Sequence, residues 1–307
     1  KMIADLAAGH ISLKYGFMGP NYCVISVCAS SNHAMIDALN LIRWGKADVI
    51  VTGGSEASIN DPGVGSFCGM QALSTRNDDP QHASRPFDAS RDGFVIGEGG
   101  GALIFEEYEH AIKRGAKIYC EVAGGGMSAD AYHMTAPHPE GKGAMMSMRE
   151  ALKDAEMQIE DIDYINAHGT STHHNDLFET RAIKLAFGDA AKNLKINSTK
   201  SMIGHLLGAA GAIEFVTCVK ELEEGYIHQT VGLQNPDEEC DLDYCKEPVQ
   251  GEFEYALSNS LGFGGHNASI LVKKYKEAGY SGIVITDHYS PMTFHISEFF
   301  NKKKAID

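Results

Sequence analysis

Tyr22-Cys23-Val24-Ile25-Ser26-Val27-Cys28-Ala29-Ser30-Ser31-Asn32-His33 reads as an apolar strand that gives way at Cys28 to a helix start of small residues. Upstream, residues 1–20 predict a helix followed by the turn Gly16-Phe17-Met18-Gly19-Pro20. Downstream, apolar residues recur at helical spacing over 34–44, and a buried strand follows at 48–52, closed by Gly53-Gly54-Ser55-Glu56. A loop over 72–99, a strand at 102–106, a helix at 107–114 and a strand at 117–124 lead into a glycine-rich link. A second set then begins: helices at 144–155, 176–187 and 206–222, with strands at 164–167, 195–197, 255–259 and 268–273. Strands and helices in alternation predict an α/β fold.

Composition narrows the function classes. With 307 residues and 43% apolar content the chain can bury a large core. A formal charge of −15 argues against nucleic-acid binding, which calls for a basic face, although a local basic patch for an acidic partner stays compatible with it. Seven cysteines, an odd number with no C-x-x-C pair, read as reduced thiols and a cytoplasmic setting. No apolar run reaches membrane-spanning length, so no membrane partner is expected. Lys1-Met2-Ile3-Ala4-Asp5 reads as the middle of an element, and the chain is expected to be a fragment.

Three motifs carry chemistry: Cys28 with its small-residue flank, Asn166-Ala167-His168-Gly169-Thr170-Ser171-Thr172, and Lys200-Ser201-Met202-Ile203-Gly204-His205. An isolated cysteine is ordinarily a packing residue, and Cys23, Cys68, Cys120, Cys218, Cys240 and Cys245 are read that way. A thiol at a helix N-terminus is a different case, since oriented N–H groups favour its thiolate and a thiolate attacks thioesters readily.

Together these segments resemble the β-ketoacyl-acyl-carrier-protein synthases of the condensing-enzyme family, in their Cys-His-His class, over about residues 1–275. The resemblance implies a thiolase-like fold, a duplicated αβαβα sandwich whose first half is incomplete here. It divides the chain into 1–125, the part of the first half that carries Cys28; 126–276, the second half; and 277–307, an unrelated-looking tail. It implies an acyl group held on Cys28 while malonyl thioester is decarboxylated, with His168 and His205 donating to the developing enolate oxygen. By the same resemblance Lys200 tunes the histidines and Glu214 supports it. The backbone N–H groups of Cys28 and Phe263 form the oxyanion hole, and Phe263, in Gly262-Phe263-Gly264-Gly265, gates the pocket. Thr170, Thr172, Gly264 and Gly265 contact the substrate arm, and Phe67 lies in the acyl-pocket segment. No metal and no cofactor is implied beyond the phosphopantetheine of acyl carrier protein. The expected partners are that carrier and a second copy of the chain, with the strand at 22–27 at the homodimer interface.

Two departures from the family pattern stand out. His173 follows Thr172 where proline is common, and Gln71 stands where many relatives carry an arginine facing the carrier. Within the same chemistry a polyketide ketosynthase is an alternative; a priming synthase is disfavoured by His205 and a chain-length factor by Cys28. An inactive synthase-derived fragment or fusion is the alternative from another class. In the tail, Gly279-Tyr280-Ser281-Gly282-Ile283-Val284-Ile285-Thr286-Asp287-His288 resembles the strand and ligand motif of PHP-family metal-dependent phosphoesterases, but Asp287 and His288 alone do not make a metal site.

Overall fold

Alternating burial builds the sheet and helical burial covers it. The computed structural model describes residues 3–276 and 282–286. The strands are β1 (Val49–Glu56), β2 (Gly99–Glu107), β3 (Ile118–Ala129), β4 (Tyr164–Asn166), β5 (Lys195–Asn197), β6 (Tyr226–Ile227), β7 (Val249–Gln250), β8 (Tyr255–Gly262), β9 (His266–Lys274) and β10 (Ile283–Thr286). The α-helices are α1 (Leu6–Tyr15), α2 (Ser30–Arg43), α3 (Asp61–Gly69), α4 (Tyr108–Lys113), α5 (Lys142–Asp154), α6 (His173–Phe187), α7 (Lys200–Ile203) and α8 (Ala210–Glu224). Eight strands form one sheet in the order β1-β2-β10-β3-β9-β8-β4-β5, while β6 and β7 pair separately. Neighbours are antiparallel from β1 through β8, and β8/β4 and β4/β5 are parallel.

Side chains of β9 alternate between the two faces. Ala268, Ile270 and Val272 join Met35, Ile36, Leu39 and Ile42 of α2 and Phe215, Val219 and Leu222 of α8, whereas Leu271 joins Met148 and Leu152 of α5 and Ile183 and Phe187 of α6. Helices α2 and α8 therefore share one face, and each follows one of the motif residues, Cys28 and His205.

The glycine run expected to be a link is strand. A Cβ on Gly125 would lie 2.6 Å from Ile36 Cγ1, and one on Gly126 would lie 2.1 Å from the Ser147 carbonyl oxygen. Glycine is needed there because α2 and α5 press on opposite faces of β3. The expected division at 125/126 consequently falls inside a strand that pairs along its length with β9.

The expected strand at 22–27 does not form. Residues 21–26 take up no regular structure, and Val27–Ala29 is a 3-10 turn. Tyr22 and Ile25 are 51% and 71% exposed, so the apolar run faces solvent with no strand beside it among the described residues. The short helix α3 was not expected; Asn60 caps it by accepting from Gly63 N–H, and Pro62 opens it.

Part of the stretch expected to be a tail lies inside the fold. Strand β10 is antiparallel to both neighbours, with Val284 opposite Glu106 on β2 and Glu121 on β3. Ile283, Val284, Ile285 and Thr286 are all buried. The remainder of the phosphoesterase-like motif, including Asp287 and His288, lies outside the described residues. Thr286 donates its hydroxyl proton to buried Glu106, which also accepts from Arg114 (2.6–2.7 Å) and His110 (2.5 Å). Burial alone would raise Glu106; the hydrogen bonds from Arg114, Thr286 and His110 outweigh it and hold the carboxyl at about 2.

Val284→Asp is expected to cost about 3–5 kcal/mol in urea denaturation, because it sets an unpaired charge in the sheet interior. Glu106 has a depressed folded-state value, so its stabilisation is complete above its ordinary 4.5 and is lost as pH falls toward about 2. Glu106→Gln is expected to flatten that acid limb when stability is measured against pH.

Candidate active site

The 3-10 turn that carries Cys28 leads directly into α2, so the thiol stands at that helix's N-terminal end. The residue before it, Val27, has φ +53°, an unfavourable conformation for a β-branched side chain. The end of β8 presses on this turn: a Cβ on Gly262 would lie 2.7 Å from the Ser26 carbonyl oxygen. The sharp turn buries Cys28 at 4% exposure beside Phe94 and Leu207, with Phe67, Ala72, Leu73 and Ile96 packed around them.

His205 reaches this thiol from the loop between α7 and α8. Its backbone is held by Ile96 and neighbours, with His205 N–H donating to the Val95 carbonyl at 2.7 Å and Gly97 N–H donating to the His205 carbonyl at 2.9 Å. Leu207 N–H donates to His205 Nδ1 at 3.2 Å, which leaves the ring proton on Nε2. That N–H donates to Cys28 Sγ at 3.1 Å. His168 follows β4 and stands edge-on to His205, with ring centroids 5.2 Å apart.

Electrostatics set the protonation states. Burial pushes both imidazoles well below their ordinary value, and the Lys200 charge pushes them further the same way. Both rings are therefore neutral. Burial pushes the Cys28 thiol up to about 12, against the pull of Lys200 and of the backbone N–H groups of Phe263 and Cys28. Lys200, 1% exposed, forms an ion pair with buried Glu214 on α8, whose carboxyl is raised by burial and drawn back by the lysine.

The Cys28, His168 and His205 donor atoms lie within 4.8 Å of one another. A cation does not suit this cluster, because the Lys200 charge acts on all three and the proton on His205 Nε2 occupies the position facing sulfur.

The other expected residues surround this centre. Phe67 packs edge-on to Phe94 at 5.2 Å, and Phe94 edge-on to His205 at 5.3 Å. The Thr170 and Thr172 hydroxyls share a 2.9 Å hydrogen bond. Gly264 and Gly265 have φ of +86° and +76°, and Gly264 N–H donates to the Met134 carbonyl at 2.6 Å. Asn267 Nδ2 donates to Asp130 at 2.8 Å, which ties the glycine loop to residues 130–134.

Several supports of the site carry no motif in the sequence. Glu179 on α6 accepts from His168 N–H (2.8 Å) and Gly169 N–H (2.9 Å), and burial raises it to about 7. Arg91 donates to the Thr172 and His173 carbonyls (3.2 and 3.0 Å) and lies 3.6 Å from Asp176, which accepts from Phe87 N–H. Glu179 shares its buried helix face with Asn175 and Asp176, so no local pattern singles it out, and Phe94 stands in a stretch expected to be loop.

Comparison with known proteins agrees with this arrangement. Residues 1–111 match the profile "Beta-ketoacyl synthase, N-terminal domain" and residues 119–234 match "Beta-ketoacyl synthase, C-terminal domain". The chain is 51% identical over 278 residues to 3-oxoacyl-[acyl-carrier-protein] synthase 2 of Synechocystis sp., covering 90% of this chain and 66% of that protein. It is 49% identical over 274 residues to the chloroplastic 3-oxoacyl-[acyl-carrier-protein] synthase II of Arabidopsis thaliana, covering 89% and 50%. The chain thus spans less than two thirds of the length of these curated relatives. Among solved structures, a type II polyketide ketosynthase in complex with its acyl-carrier protein superposes with a TM-score of 0.87 at 42% identity, covering 89% of this chain and 67% of that one. A β-ketoacyl synthase from Burkholderia phymatum gives 0.85 at 38% identity, covering 89% and 66%. These likenesses also establish the fold as thiolase-like. A buried thiol facing a neutral imidazole, a second imidazole at right angles and two matching domain profiles lead to one assignment: the chain belongs to the β-ketoacyl synthase family.

Proposed function

We propose that this chain carries the chemistry of a 3-oxoacyl-acyl-carrier-protein synthase of fatty-acid elongation. The observation that carries the reading is the His205 Nε2–H aimed at Cys28 Sγ, 3.1 Å away, beside a second neutral imidazole. Cys28 sulfur attacks the carbonyl of an acyl thioester on the carrier. Its proton leaves with the departing pantetheine thiol, and the Cys28 and Phe263 N–H groups receive the tetrahedral oxyanion. A malonyl thioester then replaces the first carrier. As carbon dioxide leaves, the electron pair moves onto the thioester oxygen, where neutral His168 and His205 donate N–H bonds. The enolate carbon attacks the acyl carbonyl on Cys28, the thiolate departs and regains a proton, and the product is two carbons longer.

In this reading burial and Lys200, held in place by Glu214, keep the imidazoles uncharged, Thr170 and Thr172 hold the pantetheine arm, and Phe67 with Phe94 lines the acyl pocket. Phe263, with Gly264 and Gly265, forms the gate. The substrate arrives on phosphopantetheine, and no further cofactor is used. The partners are acyl carrier protein and a second copy of the chain, whose contact would cover the exposed apolar residues Tyr22, Ile25 and Val27. Cytoplasmic placement is supported by the absence of disulfides among the described residues; no described helix is long and apolar enough to cross a membrane. The three-part division at 125/126 and 276/277 is retained as a description of ancestry, with 283–286 contributing to the sheet. The type II polyketide ketosynthase among the structural neighbours supports a second reading, the same condensation on a polyketide chain.

Mixing the protein with an acyl-carrier thioester is expected to add one acyl mass to the intact chain, and Cys28→Ala is expected to abolish the adduct. No adduct on folded protein would overturn the proposal. Lys200→Met is expected to raise the titration midpoints of both His168 and His205, followed by NMR of the imidazole protons, because it removes the cation that helps depress them.

A further inference from the structure

Behind the candidate site lies a buried polar network that the condensation does not use directly. Tyr164 and Asn166 lie on β4, Asn197 on β5 and Glu221 on α8; Thr199 precedes α7, and His228 follows β6. All six are buried, none more than 8% exposed.

The proton directions can be traced from one end. The Gln229 carbonyl accepts from His228 Nδ1 at 2.7 Å, so that nitrogen carries the ring proton. Burial lowers His228, the ring is neutral, and Nε2 is left as an acceptor. Thr199 therefore donates its hydroxyl proton to His228 Nε2 at 3.1 Å. The Thr199 oxygen in turn accepts from Asn166 Nδ2 at 2.7 Å, and Asn166 also donates to the Tyr164 hydroxyl oxygen at 2.9 Å. Tyr164 donates to Asn197 Oδ1 at 2.5 Å. Glu221 closes the network by accepting from His228 N–H at 2.8 Å and Asn197 Nδ2 at 3.1 Å, while Asn197 Nδ2 also reaches the His228 carbonyl at 3.0 Å.

The two inner members occupy telling positions. Thr199 is the residue before Lys200, and Asn166 stands two residues before His168. The hydrogen bond between them ties together the backbones from which the lysine and that imidazole project. Cys28 and Phe263 are held by the 3-10 turn and the end of β8, and His205 by Val95 and Gly97; none of these contacts passes through the network.

We propose that His228, anchored by Glu221, is a positioning residue for the decarboxylation step: through Thr199 and Asn166 it sets the placement of His168, while Lys200 is fixed separately by its ion pair with Glu214. This rests on the synthase reading. Acyl transfer to Cys28 does not need His168 held, whereas enolate stabilisation does, so the network matters to one half-reaction and not the other.

The test measures the two half-reactions separately, Cys28 acylation by intact mass and carbon dioxide release from malonyl-carrier thioester. His228→Phe keeps a ring but removes the acceptor; Thr199→Val removes the hydroxyl and Thr199→Ser restores it. Carbon dioxide release is expected to fall by about tenfold or more in His228→Phe and Thr199→Val, since small misplacements of reacting groups are costly. Acylation is expected to hold within about threefold of wild type in both. Thr199→Ser is expected to recover release, and the double variant to be no worse than either single one, because the two side chains act through one bond. An equal fall in both half-reactions, or unchanged release in folded variants, would overturn the proposal; should His228→Phe not fold, the Thr199 pair decides alone. If wild type neither acylates nor releases carbon dioxide, the synthase reading fails and the His168 imidazole resonance decides positioning. A shift of that resonance in Thr199→Val but not in Thr199→Ser, with His205 unmoved, supports it, and no shift overturns it.

Discussion

The Lys200–Glu214 ion pair is the interaction on which the site depends. Both partners are buried, and taking two charges out of water costs several kcal/mol per ion before their attraction offsets it. Burial lowers His168 and His205 most, and the Lys200 charge, held in place by Glu214, lowers both further and opposes the burial-driven rise of Cys28. One cation thus helps to keep two imidazoles neutral and favours a sulfur anion. A solvated lysine at the same spot would be screened and do much less.

The fold supplies the rigidity this arrangement needs. Helices α2 and α8 lie on one face of the sheet, and the turns before them bring Cys28 and His205 into contact across 177 residues of chain. Strand β3 is clasped by α2 on one side and α5 on the other, close enough that only glycine fits at 125 and 126. Strand β10 fills the slot between β2 and β3. Without it those strands would stand about 9.6 Å apart, twice the usual spacing, with facing backbone groups unpaired. Its Thr286 also completes the shell around Glu106, so the sheet interior and its buried carboxylate are settled together.

Several expectations failed for identifiable reasons. The run at 22–27 has the alternation and β-branching of a strand, yet no described strand lies beside it, and a strand is defined by its neighbours. Gly125 and Gly126 read locally as a link because their lack of side chains was the only visible property; the helices pressing on them are distant in sequence. Ile283–Thr286 looked foreign by motif and still joins the sheet, since a short apolar β-branched segment pairs wherever two strand edges are open.

Written locally in the chain are the alternation of strands and helices, the small-residue flank of Cys28 and the short motifs holding His168, Lys200, His205 and Phe263. These are local properties, written in residues a few positions apart. It takes the folded chain to establish that His205 presents Nε2–H to sulfur, that both imidazoles are neutral, that Glu179 grips the His168 backbone and that His228 answers Thr199. Protonation depends on burial and on charges brought close by folding, and hydrogen-bond direction depends on which partner can only accept. Neither can be read from neighbours along the chain.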